Sequence, residues 1–291
     1  MPQCAHSTCS RTPRWWQART GAGATLDEQW YCSQPCVEAV LRARVLDSPA
    51  TPSAELMPRL PGVRLGAMLR HLRACPPEQI EAALEAQGES RLRLGEQLRS
   101  MGAVEPHALL RALAEQAGVS YLATVDPARV REAPGGLSLD AIQALRIVPI
   151  GPPDGGRIRV AFPAPVPRAA LTAFRQQTGW APEPFLVGDD TWLALLEHYG
   201  SAAGAAAAGA TTAAEDTTLA FAREHDADGA ARRLAEVVMA AGASTMREAR
   251  WGQYVWVRLH GGGAEFDLLL DHATPAAQQG GDTWRAATTS R

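Results

Sequence analysis

The stretch from 64 to 87, RLGAMLRHLRACPPEQIEAALEAQ, is written again from 93 to 116 as RLGEQLRSMGAVEPHALLRALAEQ. Both copies open Arg-Leu-Gly, both close on Gln, both have the same length, and only GESRL stands between them. Within each copy the apolar spacing is helical, then broken, then helical again. In the second copy Leu94, Leu98 and Met101 recur at four and three, which marks one apolar face. Gly102 ends that helix as a C-cap. A second helix then starts with Pro106 and an acidic first turn from Glu105, and Leu109, Leu113 and Gln116 line its inner face. The first copy repeats the plan with Leu65, Leu69 and Leu72, then Pro76 and Pro77, then Ile80, Leu84 and Gln87. Each copy is expected to be a helical hairpin with an arginine, Arg64 or Arg93, at its mouth and a glutamine at its far end.

Leucines at this spacing are what any hairpin core needs. Core packing does not require Arg-Leu-Gly and Gln in the same registers twice. Glycine inside a helix costs about 1 kcal/mol against alanine, so Gly66 and Gly95 are expected to serve a close approach to the backbone. Two like sites, each with a guanidinium and an amide beside apolar side chains, suit a ligand of two like halves. Each half would carry a phosphate and a flat base.

The 291 residues leave room for two or three small domains, and the net charge of −3 gives no ground for broad, nonspecific nucleic-acid binding. No apolar run approaches the roughly 20 residues that cross a bilayer, and MPQCAHSTCS lacks a signal-peptide core, so a cytoplasmic protein is expected. The sequence contains no lysine. That removes Schiff-base chemistry and the phosphate-gripping lysine of a P-loop. Two low-complexity stretches, 46–62 and 201–217, read as a linker and a flexible Ala/Gly tether, and 273–291 reads as a disordered tail. Three modules remain, 1–45, 63–200 and 218–272, and the fold class expected is α+β.

Four of the five cysteines fall as CAHSTC (Cys4, Cys9) and CSQPC (Cys32, Cys36). Two close pairs separated by a loop are the usual form of a structural zinc site, since four thiolates complete a tetrahedron around Zn2+. Cys36 sits at the start of an amphipathic helix, where the dipole favours a thiolate. The first pair is spaced more widely than usual, which makes His6 a substitute ligand. The alternatives are two disulfides, which a cytoplasmic chain disfavours, or four free thiols in a module too small to stand without a staple. Trp15, Trp16, Trp30 and Tyr31 are expected to form the module's core. Arg11, Arg14 and Arg19 are read as a solvated face, and Cys75 as buried. The order of knuckle, aromatic strand and helix resembles small treble-clef zinc fingers.

The doubled pattern Arg-Leu-Gly-x-x-Leu-x-x-x-Gly, continued by two leucines and a glutamine, resembles the cyclic-di-GMP-binding MshEN-type domain. That domain is the N-terminal domain, also called GspE N-terminal, of type II secretion and type IV pilus assembly ATPases. The second copy matches at Arg93, Leu94, Gly95, Leu98, Gly102, Leu109, Leu113 and Gln116. The first matches at Arg64, Leu65, Gly66, Leu69, Leu84 and Gln87, with Ile80 for a leucine, and departs at Arg73, where glycine is expected. The resemblance implies that each copy holds half of one cyclic-di-GMP through these residues. Arg73 either clashes with the first half or adds a phosphate contact.

The resemblance continues through 118–200, which follows the order of that family's small α/β subdomain. Val148 to Ile150, Ile158 to Ala161 and Phe185 to Val187 supply strands there, and PPDGG makes a turn. Residues 218–272 read as an amphipathic helix and two strands, Tyr254 to Leu259 and Glu265 to Leu270. Faintly, this resembles the segment before the ATPase core of the same family; Ala243, Ser244, Arg258 and Gly261 keep that pattern, while Thr245, Arg247 and His260 depart from it. An unrelated α+β module is the alternative.

No Gly-x-Ser-x-Gly elbow, His-Glu-x-x-His helix or Walker motif occurs, and an enzyme is not expected. REHDAD (223–228) is read as a solvated loop, and Asp189 and Asp190 as a helix N-cap. The function expected is a regulatory adaptor that binds cyclic-di-GMP and works with secretion or pilus assembly proteins, whether the inner-membrane platform or an assembly ATPase. A scaffold of the same fold without nucleotide is the second reading. The third is a zinc-finger DNA-associated regulator, against which the near-neutral charge counts.

Overall fold

The computed structural model describes residues 3–12, 23–48, 63–132, 137–165, 167–209, 220–262 and 264–272. Trp15, Trp16, Arg14 and Arg19 lie outside the described residues, as do nearly all of the expected linker and the whole tail. The architecture is α+β. The chain divides into two compact units, one of residues 53–135 and 142–211, the other of residues 1–52, 136–141 and 212–291.

The first of these units holds the doubled motif as two short-long helix pairs: α2 (Leu65–His71) with α3 (Pro77–Ser90), and α4 (Leu94–Ser100) with α5 (Pro106–Ala117). Helices of two turns are marginal alone, so α2 and α4 persist because their apolar faces are buried. Met68, Leu69 and Ile80 from the first copy share one core with Leu98, Leu109 and Ala112 from the second. Proline opens α3 and α5, where its missing N–H is no loss. Glu105 is the N-cap of α5 and accepts a hydrogen bond from the Ala108 N–H at 2.9 Å.

After the repeat come β3 (Ser120–Tyr121), α6 (Leu139–Leu145), β4 (Val148–Asp154), β5 (Arg157–Phe162), α7 (Arg168–Thr178), β6 (Ala181–Leu186) and α8 (Asp189–Gly209). The sheet order is β3-β6-β5-β4, with β4 and β5 antiparallel and β5, β6 and β3 parallel. The expected turn stands at Gly155 and Gly156, both with positive φ. Asp189 and Asp190 lie in the first turn of α8, one step inside the cap position expected for them. The helix runs on to Gly209, so the first nine residues of the expected tether are helical. Their alanines are the best helix formers, and extending an existing helix avoids the cost of nucleation.

The other unit joins the two ends of the chain. A hairpin, β1 (Ala24–Leu26) and β2 (Gln29–Tyr31), leads into α1 (Gln34–Asp47). Far downstream, β7 (Ala220–Glu224), α9 (Ala227–Ala241), β8 (Thr245–Trp251), β9 (Tyr254–Gly261) and β10 (Ala264–Asp271) build a four-stranded sheet of order β7-β10-β9-β8. Two of these strands, β7 and β8, were not expected. Both are rich in charge, and only pairing to β10 and β9 shows them as strands. REHDAD is likewise no loop. Arg223 and Glu224 end β7, and Asp226 caps α9 by accepting from Gly229 N–H.

The front and rear modules, expected to be separate, share one hydrophobic core. Leu26, Tyr31, Val37, Leu41 and Val45 of the first lie in the same buried cluster as Leu234, Val238, Val257 and Leu268 of the second. On the opposite face of the sheet, Arg258 and Asp267 form a buried two-point ion pair, with contacts of 2.7 and 2.6 Å. The Trp256 ring lies 5.2 Å from the guanidinium.

Candidate functional site

Two groups of residues carry chemistry. The first is the cysteine cluster. The N-terminal knuckle is held by Cys4 N–H to Arg11 O and Cys9 N–H to His6 O, and is tied to the hairpin by Ala5 N–H to Trp30 O, each at 2.9 Å. Cys32 follows β2 directly, and Cys36 lies in the first turn of α1. These local structures bring the sulfurs of Cys4, Cys9, Cys32 and Cys36 to within 4.8 Å of one another. Cys9 and Cys32 are 3.6 Å apart, and Cys32 and Cys36 3.7 Å. A tetrahedron with metal–sulfur bonds of about 2.3 Å has edges of about 3.8 Å, so the spacing fits a tetrahedral thiolate site. It is too long for a disulfide, and all five cysteines are free thiols. His6 is not part of the group, and its Nδ1 stands 3.4 Å from Thr8 Oγ1.

Burial pushes the Cys36 thiol up to about 12 and raises that of Cys32, while the Arg11 N–H lowers that of Cys9. Without a cation, burial thus keeps the two helix-side sulfurs protonated. A divalent ion would have to displace those protons, and its charge is what would make four thiolates stable together.

The second group is the mouth of the doubled motif. Arg64 and Arg93 occupy the same place, N-cap to α2 and α4, with φ/ψ of −78/143 and −69/151. Both are exposed. The residues beside them cross over. A methyl group built on Gly95 would lie 3.5 Å from Leu65 Cδ2 and 3.5 Å from Leu109 Cδ1. One built on Gly66 would lie 3.5 Å from Leu94 Cδ2 and 3.1 Å from Ile80 Cγ2. Each glycine is therefore covered by the leucine of the other copy and by the first long apolar residue of its own second helix. The Arg-Leu-Gly segments face each other about a local two-fold.

The glutamines complete this exchange. Gln116 Nε2 donates to the carbonyl of Val63 at 2.7 Å, and Gln87 Nε2 donates to the carbonyl of Leu92 at 2.6 Å. Val63 precedes Arg64 and Leu92 precedes Arg93, so each copy's last residue holds the start of the other copy.

Not every expected contact residue reaches the mouth. Leu69, Ile80, Leu98 and Leu109 are buried in the hairpin core and shape the mouth from beneath. Gly66 and Gly95 admit side chains of the neighbouring helices, so their close approach is one of packing. Leu84, expected on an inner face, is 51% exposed, whereas its counterpart Leu113 packs against the core. Gly102 has φ +63 and Arg73 has φ +54, so the arginine keeps the left-handed turn of the glycine it replaces. A methyl group on Gly102 would meet nothing within 4 Å, and Arg73 is exposed, so the turn accepts the arginine without a clash inside the protein.

No protein-family model matches the chain, and no curated protein matches it. Solved structures do. A structure described as MshE with cdg is 27% identical, with a TM-score of 0.39, over 47% of this chain and 99% of that one. The N-terminal domain of XpsE is 23% identical, with a TM-score of 0.34, over 47% and 93%. A second crystal form of that domain is 23% identical, with a TM-score of 0.28, over 49% and 98%.

The two halves of the mouth differ in charge. Glu96 accepts from the Arg93 N–H at 3.0 Å and so places a carboxylate beside the second arginine. Ala67 stands at the matching position of the first copy and brings no charge there. Sequence reasoning passed over both Glu96 and Asp27, the residue at the tip of the β1–β2 turn. The capping pattern would have pointed to Glu96, three residues after its cap. Among the described residues no helix is long and apolar enough to cross a membrane.

Proposed function

We propose that this chain is a non-catalytic, cytoplasmic regulatory adaptor whose paired hairpins bind cyclic-di-GMP, and whose partners are the secretion or pilus assembly proteins to which such domains belong. The observation that carries the reading is the reciprocal packing of the two Arg-Leu-Gly segments. It sets two exposed guanidiniums at equivalent positions about a local two-fold, and a dinucleotide with two like halves has the same symmetry. Arg64 and Arg93 would take the phosphates or stack on the bases. The half-exposed Leu65, Leu94 and Leu113, with the exposed Leu84, would offer apolar surface to the purines. Cys4, Cys9, Cys32 and Cys36 would hold one structural Zn2+.

Titration calorimetry with cyclic-di-GMP tests the first part. Saturable binding to the full chain, abolished by Arg93→Ala, supports it; no heat at micromolar protein refutes it. A second reading, a scaffold of the same fold without nucleotide, is favoured by one observation. The Gln87 and Gln116 amides already give one N–H each to the backbone, so each glutamine has only one N–H and its carbonyl oxygen left for a ligand. Flat calorimetry together with co-purification of an assembly ATPase or platform protein is the outcome for that reading.

A further inference from the structure

The reading of the cysteine module as a DNA-associated finger needs it to face outward. We propose instead that it works inside the molecule, as a metal-loaded clasp that closes the core of the C-terminal sheet. The proposal rests on the cysteine cluster holding zinc, as inferred above, and concerns what that zinc is for.

A recognition finger needs a free helix face. Here Val37, Leu41 and Val45 of α1 are all fully buried, in one cluster with Ala230, Leu234, Ala235 and Val238 of α9 and Val255, Val257 and Leu268 of the sheet. Polar contacts rim the same contact. Arg42 pairs with Asp228, and Arg44 bridges Asp27 at 2.5 Å and Glu248 at 3.7 Å. Arg250 donates to the carbonyl of Ser48, just past the helix, at 2.9 Å.

The tip of the finger is docked as well. Asp27 turns the β1–β2 hairpin at φ +48. Its N–H donates to Ser244 O at 2.7 Å, and its carboxylate accepts from Met246 N–H at 2.9 Å, 219 residues downstream. The strand β8 therefore receives the Arg44 side chain from α1 and the Asp27 carboxylate from the hairpin, whose backbone also bonds Ser244 just ahead of the strand. Remove the finger, and α9 loses the apolar cover over Ala230 and Leu234.

The cysteines stand where this clasp needs a rivet. Cys32 and Cys36 fix the start of α1, and Cys4 and Cys9 fix the knuckle that is bonded to β2. Strands of three residues are too short to hold a helix in register alone. The finger must also find α9 across a long intervening stretch of chain, and closing so long a loop costs entropy; a finger already folded on its metal adds no ordering cost of its own to that step. Metal at the four sulfurs would thus set how well ordered a sheet more than 200 residues away is.

Hydrogen exchange on the full chain, before and after treatment with a zinc chelator, tests this. The expected result is that amides in 24–47 and in 227–259 exchange faster together, by roughly tenfold or more, while α2–α5 keep their protection. Faster exchange confined to 24–47 would overturn the proposal. A protein purified without metal and indifferent to the chelator would sink the zinc reading and the metal control with it. In that case Leu41→Ala decides the clasp, since faster exchange across α9 supports it and unchanged exchange there removes it.

Discussion

Gln116 closes a ring with Val63: its side-chain amide reaches back 53 residues to the carbonyl that precedes Arg64. The same bond joins Gln87 to Leu92 ahead of Arg93. The two bonds make each arginine's backbone depend on the far end of the other copy, so the glutamines position the mouth even though each is placed at the tail of its motif.

Gln116→Ala is therefore expected to lower stability by about 1 kcal/mol, the usual net worth of such a hydrogen bond. It should also weaken cyclic-di-GMP binding, by loosening Arg64. Urea unfolding of wild type and variant, followed by calorimetry, checks both effects. A variant of unchanged stability would mean that the bond to Val63 is not formed in solution.

The glycines offer a sharper contrast. At Gly95 an added methyl group meets only ordinary contacts of 3.5 Å, while at Gly66 it crowds Ile80 at 3.1 Å. Gly95→Ala should stabilise the free protein by about 0.5 kcal/mol through helix propensity, and Gly66→Ala should gain less or lose. Thermal unfolding of the two variants side by side gives the order.

Arg73 pays a conformational penalty that Gly102 does not, because both sit in the left-handed region. Arg73→Gly is expected to raise stability by about 1 kcal/mol. If calorimetry also shows weaker ligand binding in that variant, Arg73 contributes charge to the first half of the mouth.

The cysteine cluster should bind metal less tightly as pH falls. Burial raises Cys32 and Cys36, so protons compete with the cation for those sulfurs, and acid favours the protons. Release of about one equivalent of zinc to a chromogenic chelator should rise steadily on acidification. Release independent of pH would argue against thiolate ligation.

Asp267→Ala should be the most damaging of these changes. It would leave the Arg258 guanidinium buried without its carboxylate partner, a defect worth about 3–5 kcal/mol. Urea unfolding measures it, and a loss below about 1 kcal/mol would show that water reaches the pair.

Much of the fold was legible in the sequence because its signals are local. The period of Leu94 and Leu98, the prolines that open α3 and α5, and the Gly155–Gly156 turn each act within a few residues. The cysteine spacing is equally local, and the four sulfurs do converge. Legibility failed where partners are distant. Leu84 and Leu113 occupy the same register, yet only one packs against the core, because burial depends on what lies opposite. β7 and β8 carry too many charges to show a strand pattern, and they become strands only through the backbone of β10 and β9.

By itself the sequence determined that two matched hairpins form, each with an arginine at its start, and that four thiols gather at a knuckle and a helix. Those outcomes follow from backbone preferences and short-range spacing. Only the tertiary structure decided that Leu65 covers Gly95, that Gln116 grips Val63, and that Leu41 and Leu234 share a core. An apolar face states that it must be buried but not against what, and that choice is made by the shape of surfaces brought together from far along the chain.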